Sequence, residues 1–141
     1  MAFKGYYFKV GDWKIPLSCM MVKSMESTPI IMLDLESYND SDGTLHRTVL
    51  DKHGAKFEFT TPPMHMNAKE QFMSKLREQF IDKKARKVQL EYYNDETGNY
   101  DTGIFYMPDF VFRPLFNTPT GVVYDGIRIC FISYVDNSNV E

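Results

Sequence analysis

The stretch Asn67–Arg86, NAKEQFMSKLREQFIDKKAR, decides how the rest of the chain is read. Phe72, Met73, Leu76, Phe80 and Ile81 recur at spacings of one, three and four residues, which places them on one side of an α-helix. Lys69, Lys75, Arg77, Glu78, Lys83 and Lys84 fall mostly on the other side. Asn67 followed three residues on by Glu70 has the form of a capping box. Lys83, Lys84, Arg86 and Lys87 crowd the end where the helix dipole favours positive charge. At ~1.5 Å per residue such a helix reaches roughly 25 Å, enough to cross one face of a small sheet. No other segment reads as a long helix, and strand-like sequence lies on both sides of this one. The expected fold is therefore α+β and mainly antiparallel: a β-sandwich or barrel with one principal helix, 67–86, packed against it.

Working outward, Phe57 and Phe59 alternate with Lys56, Glu58 and Thr60, the period-two pattern of a half-buried strand. Two strands, Thr44–Asp51 and Ala55–Thr61, are expected to pair around Lys52, His53 and Gly54. Before them Glu36–Gly43, ESYNDSDG, reads as a polar loop. Near the N-terminus, Gly11-Asp12 between aromatic and β-branched runs predicts a hairpin turn. Cys19, Met20, Met21 and Met25 read as core filling. Beyond the helix, Lys87–Tyr93 and Tyr100–Met107 flank the turn Asn94–Asn99, the clearest hairpin in the chain. Pro108, Pro114 and Pro119 punctuate an aromatic loop, Phe110 to Gly121, before a last alternating strand from Gly126 to Tyr134. With no repeat or linker, 1–135 reads as a single domain and 136–141 as a polar tail.

At 141 residues the chain can bury one sizeable core, and 15% aromatic content tilts it toward sheet. A net charge of −3 gives no overall drive toward nucleic acid or an anionic membrane. The basic cluster 83–87 with Tyr92 and Tyr93 could serve single-stranded nucleic acid, but Asp82 and Glu91 dilute it and a solvated helix end explains it. His46, His53 and His65 stand at no ligand spacing, and Cys19 and Cys130 are too far apart in sequence for a CxxC motif. In the polar loop, the register that seats Gly43 as the EF-hand glycine puts Tyr38 and Val49 at the two essential acidic positions, so a calcium loop fails. Phosphate-binding glycine motifs and a GxSxG elbow are missing. No apolar run approaches a membrane span, and no signal-peptide pattern opens the chain. The expectation is no catalytic residue, no cofactor, no metal, no membrane span and no sequence-specific nucleic acid.

Gly11-Asp12-Trp13-Lys14-Ile15-Pro16, Gly43-Thr44-Leu45-His46-Arg47, Tyr93–Gly98 with Thr102–Tyr106, and the Gly126 strand follow one another in an order that resembles small tail proteins of tailed bacteriophages and prophages of Gram-positive hosts. The resemblance spans roughly Gly11 to Tyr134, and Gly-Thr-Leu-His-Arg is its most specific part. Pro108, where glycine is common, and the extended aromatic loop depart from it. It implies a structural virion protein of the tail tube, tip or baseplate hub, assembled in the host cytoplasm as a ring of identical copies. Its implied neighbours are tube, tape-measure and distal tail or hub proteins, and it carries over no catalytic residue. Long loops on a rigid sheet are where such contacts lie, so Tyr38, Asp40, Asp42, His46, Arg47, Phe110, Phe112 and Phe116 are the candidate subunit contacts. The competing expectation is a monomeric β-barrel that binds a small ligand or nucleic acid.

Overall fold

A computed structural model describes residues 3–39 and 41–134, with backbone alone for 32–38 and 46–53. In chain order the elements are β1 (Phe8–Val10), β2 (Trp13–Lys14), a 3₁₀ turn (Leu17–Cys19), β3 (Met21–Asn39), β4 (Leu45–Thr60), β5 (Met64–His65) and the helix α1 (Met66–Glu78). Then come β6 (Lys87–Asn94), β7 (Asn99–Tyr106), β8 (Pro114–Thr118), β9 (Gly121–Tyr124) and β10 (Arg128–Ser133). Seven strands form one sheet in the order β2-β1-β6-β7-β10-β4-β3, and β5-β9-β8 form a second of three strands. Every strand pairing among the described residues is antiparallel, as the period-two runs predict.

The large sheet curls. Phe8 on β1 lies 5.4 Å from Phe57 and 5.8 Å from Phe59 on β4, ring centre to ring centre, and 5.5 Å from Phe131 on β10. Strands β1 and β4 are four places apart in the sheet order, which in a flat sheet at ~4.8 Å per strand would separate them by about 19 Å. Only a strongly coiled sheet brings these rings into contact. The core fills the inside of the coil with Phe8, Phe57, Phe59, Leu90, Phe105, Ile129 and Phe131, all essentially fully buried. Phe72, Met73 and Leu76 carry the helix into the same core, where Phe72 meets Trp13 edge-on at 5.4 Å.

Several expectations need correction. The helix stops at Glu78 instead of Arg86. Beyond it the Asp82 carboxylate accepts the N–H groups of Lys84 and Ala85, Arg86 takes a left-handed backbone (φ 52°), and Ile81 donates to the carbonyl of Lys87, so 79–86 is a tight return into β6. Phe80 still packs on the core, whereas Ile81 is exposed. The two strands expected at 44–51 and 55–61 are one continuous strand, β4, because β3 offers partners within the expected turn, Met32 opposite His53 and Ile31 opposite Gly54, with a register shift on either side. For the same reason Glu36–Asn39 belong to β3, and the polar loop shrinks to the few residues before Leu45. The aromatic loop contains β8, which forms a short hairpin with β9 just beyond it. The methionine-rich stretch divides, Met20 being buried and Met21 exposed.

Two polar contacts, one buried and one half-buried, fix the joints. The buried Thr61 donates its N–H to the carbonyl of Ile127 at 2.9 Å, and its hydroxyl accepts the N–H of Ile127 at 3.0 Å, which clamps the end of β4 to the start of β10. Gly126 makes this approach possible, since a Cβ there would stand 2.3 Å from the carbonyl oxygen of Thr61. In β3, the Ser24 hydroxyl accepts the N–H of Thr60 at 2.9 Å and donates to the carbonyl of Met21, filling the gap left where the β3–β4 register shifts.

Phe8→Ala should lower unfolding stability by about 3–5 kcal/mol in urea titrations, because the cavity opens at the point where the coil closes. On the outer face, Arg128 grips Glu58 with Nε at 2.7 Å from Oε1 and Nη2 at 3.1 Å from Oε2, and this hydrogen-bonded pairing lowers the Glu58 carboxyl from its usual range. A depressed folded-state value stabilises above the unfolded value of ~4.3, and the stabilisation disappears as pH falls through the folded value. Glu58→Gln should therefore cost at most about 1 kcal/mol near neutrality, given partial exposure, and the difference from wild type should vanish in acid.

Candidate functional site

The helix begins directly from β5, where His65 is its N-cap: Nδ1 accepts the N–H of Asn67 at 3.2 Å, in place of the capping box expected from Asn67 and Glu70. His65 pairs with Val123 of β9, and its Nε2 lies 3.4 Å from the Thr120 hydroxyl. One turn on, Lys69 stands over the rings of Tyr124 (4.9 Å) and Phe112 (5.5 Å). Phe112 lies 6.4 Å from Phe110, so cation and aromatics tie the helix to the β8–β9 hairpin.

Along this seam runs a groove. Its wider part, about 380 Å³, is lined by Lys69, Met73, Arg77, Lys83 and Phe112 with the acids Glu70 and Glu78. Its narrower part, about 230 Å³, is lined by Arg77, Phe80, Lys83, Arg86 and Phe110, with no acid in its lining. Arg86 is paired with Asp109 at 2.7 Å and lies over Phe110. Arg77 and Lys83 have no ion pair among the described residues, and both are exposed.

The second prominent feature is an arm. Strand β10 pairs with β4 only over 56–60, so among the described pairings Leu45–Gly54 is held by β3 alone. At ~3.3 Å per residue this two-stranded ribbon extends about 30 Å. The register brings Tyr38 opposite His46 and Ser37 opposite Arg47 near its tip. Asp42 is exposed in the connecting turn, and Asp40 lies outside the described residues. The aromatic candidates sit elsewhere. Phe110 is half-buried against the core, Phe112 covers the groove, and Phe116 is 54% exposed on β8 beside Leu115 at 53%. The two sets of candidate contacts lie toward opposite ends of β4, separated by up to about 50 Å of strand.

Residues 1–134 match a family model described as "Family of unknown function (DUF6711)". The chain belongs to this family. No curated protein and no solved structure matches it.

In this DUF6711 member, Cys19 and Cys130 are free, half-buried and buried respectively, and burial pushes both thiols up, away from the reactive thiolate. Among the described residues no three His, Cys, Asp or Glu side chains gather to hold a metal, and no helix is long and apolar enough to cross a membrane. The groove is the feature that sequence reasoning missed. Lys83 and Arg86 read there as a solvated helix end, and nothing local indicates that the return at 79–86 lays them against Phe110. His65→Ala should destabilise the protein by about 1 kcal/mol in thermal unfolding through loss of the cap, and His65→Asn should recover most of it.

Proposed function

We propose that the chain is a structural component of a bacteriophage tail, in the tube, tip or baseplate hub region, which assembles as a ring of identical copies and contacts neighbouring tail proteins. The observation that carries this reading is the arm. A two-stranded ribbon alone is marginal in water, and an arm of this length gains stability by lying on another surface. The resemblance over Gly11 to Tyr134 supplies the class of assembly. Val111, Leu115 and Phe116, exposed at the other end of the molecule, supply an apolar surface of the kind subunit contacts cover. Two unlike surfaces at opposite ends favour heterologous contacts, which close into rings when the rotation allows and otherwise extend as filaments.

The ligand-binding barrel is the weaker reading, because the inside of the coil is occupied by packed phenylalanine rings. An enzyme is weaker still, with no catalytic constellation among the described residues to support it. In this reading the protein acts in the virion, after assembly in the host cytoplasm.

Sedimentation and negative-stain imaging of the purified protein at high concentration should find rings or tubes, and antibodies should label phage tails. Leu115→Glu with Phe116→Glu should abolish association and leave the melting temperature unchanged. A strictly monomeric wild type, with unlabelled tails, overturns the reading.

A further inference from the structure

The narrower part of the groove beside α1 is lined by Arg77, Lys83 and Arg86 with no acid in its lining, on a chain whose net charge is −3. The molecule also carries a matching negative projection. The turn between β6 and β7 is built on Asn94, one of few buried polar residues. Its Oδ1 accepts the N–H groups of Glu96 (2.9 Å) and Thr97 (3.2 Å), its carbonyl accepts that of Gly98 (2.8 Å), and its Nδ2 donates to Asp101 at 2.9 Å. Asn94 thus holds the turn through its side-chain oxygen, its side-chain nitrogen and its carbonyl. The exposed side chains it presents are Asp95, Glu96 and Thr97. Behind the turn stands an outer-face aromatic ladder, Phe3, Tyr7, Tyr93 and Tyr100, with neighbouring centroids 5.3 to 6.0 Å apart.

Groove and turn cannot meet within one copy. Arg86 precedes β6 at one end and Asp95 follows it at the other, and the strand between them alone spans about 23 Å at ~3.3 Å per residue. Between copies they match in charge, with Arg77 and Lys83 free of ion pairs among the described residues on one side and two exposed carboxylates on the other, and both are flanked by aromatic rings. A rigid turn loses little conformational freedom on docking.

We propose that the groove lined by Arg77, Phe80, Lys83, Arg86 and Phe110 receives the Asp95-Glu96 turn of a second copy, so that copies join head to tail. This rests on the reading of the chain as a self-assembling component and names one contact of that assembly. The contact is small, and its role is to set which end meets which, as complementary charge does at interfaces, while the arm and the β8 surface supply area.

The test uses the full chain in two reversed forms, Arg77→Glu with Lys83→Glu, and Asp95→Lys with Glu96→Lys, all at exposed positions. Each form alone sets like charges against each other and should raise the concentration needed for assembly by about 100-fold or more, with unchanged circular dichroism and melting. Mixed in equal amounts, each reversed groove meets a reversed turn and each native groove a native turn, so assembly should return near the wild-type concentration. Single substitutions Lys83→Glu and Asp95→Lys, mixed the same way, repeat the test if a double variant folds poorly. If wild type assembles and the reversed forms assemble equally well, or if mixing rescues nothing, this contact is overturned while the tail-component reading stands. A wild type that never assembles overturns both.

Discussion

The contact of Phe8 with Phe57, Phe59 and Phe131 is the constraint on which the molecule depends. It joins strands that are distant in the sheet, so it converts a seven-stranded ribbon into a coil with an inside. Every later feature follows from there being an inside. The helix has an apolar core to enter with Phe72, Met73 and Leu76, and the β1–β2 turn is brought against the helix end, where Gln79 accepts the N–H of Asp12 at 3.0 Å. The close fit of that turn is visible at Gly11, which has φ 58° and no room for a Cβ beside Gln79.

Outside the coil the physics differs. The surface around Tyr6 is polar and aromatic together: Tyr6 donates to Glu91, Tyr100 donates to the Tyr6 carbonyl at 2.7 Å, and the Tyr6 phenol is pushed up to about 12, first by its bond to the carboxylate and then by burial. These contacts fasten the chain before β1 onto β6 and β7. They add a rigid flank to the acidic turn without contributing to the core.

What could be read from the sequence divides along the same line. Strands whose partners are their own neighbours in sequence, Lys87–Asn94 with Asn99–Tyr106, and Phe8–Val10 with Trp13–Lys14, were legible because alternation and turn residues are local signals. The helix core was legible at Phe72, Met73 and Leu76 for the same reason. Its end was not, since Lys83 and Lys84 imitate a helix C-terminus, while the residue that bends the chain, Asp82, acts through a side-chain bond no periodicity reveals. Lys52-His53-Gly54 looks like a turn but is kept within β4 by pairing of His53 and Gly54 with β3, flanked by register shifts, a case of pairing overriding local preference. The groove was illegible because Arg86 and Asp109 meet only through the fold.

The position of β10 has a kinetic consequence. In the sheet order it lies between β7 and β4, yet it is the last of the described strands in sequence. Until it is in place, β2-β1-β6-β7 and β4-β3 are two separate ribbons, each with an unpaired edge where β10 belongs. Folding is therefore gated by an insertion at the middle of the sheet, a step that pairs residues far apart in sequence and leaves two sticky edges open while it waits. A growing chain of this topology stays vulnerable to pairing with its neighbours until Ile129 and Phe131 have emerged and closed the seam.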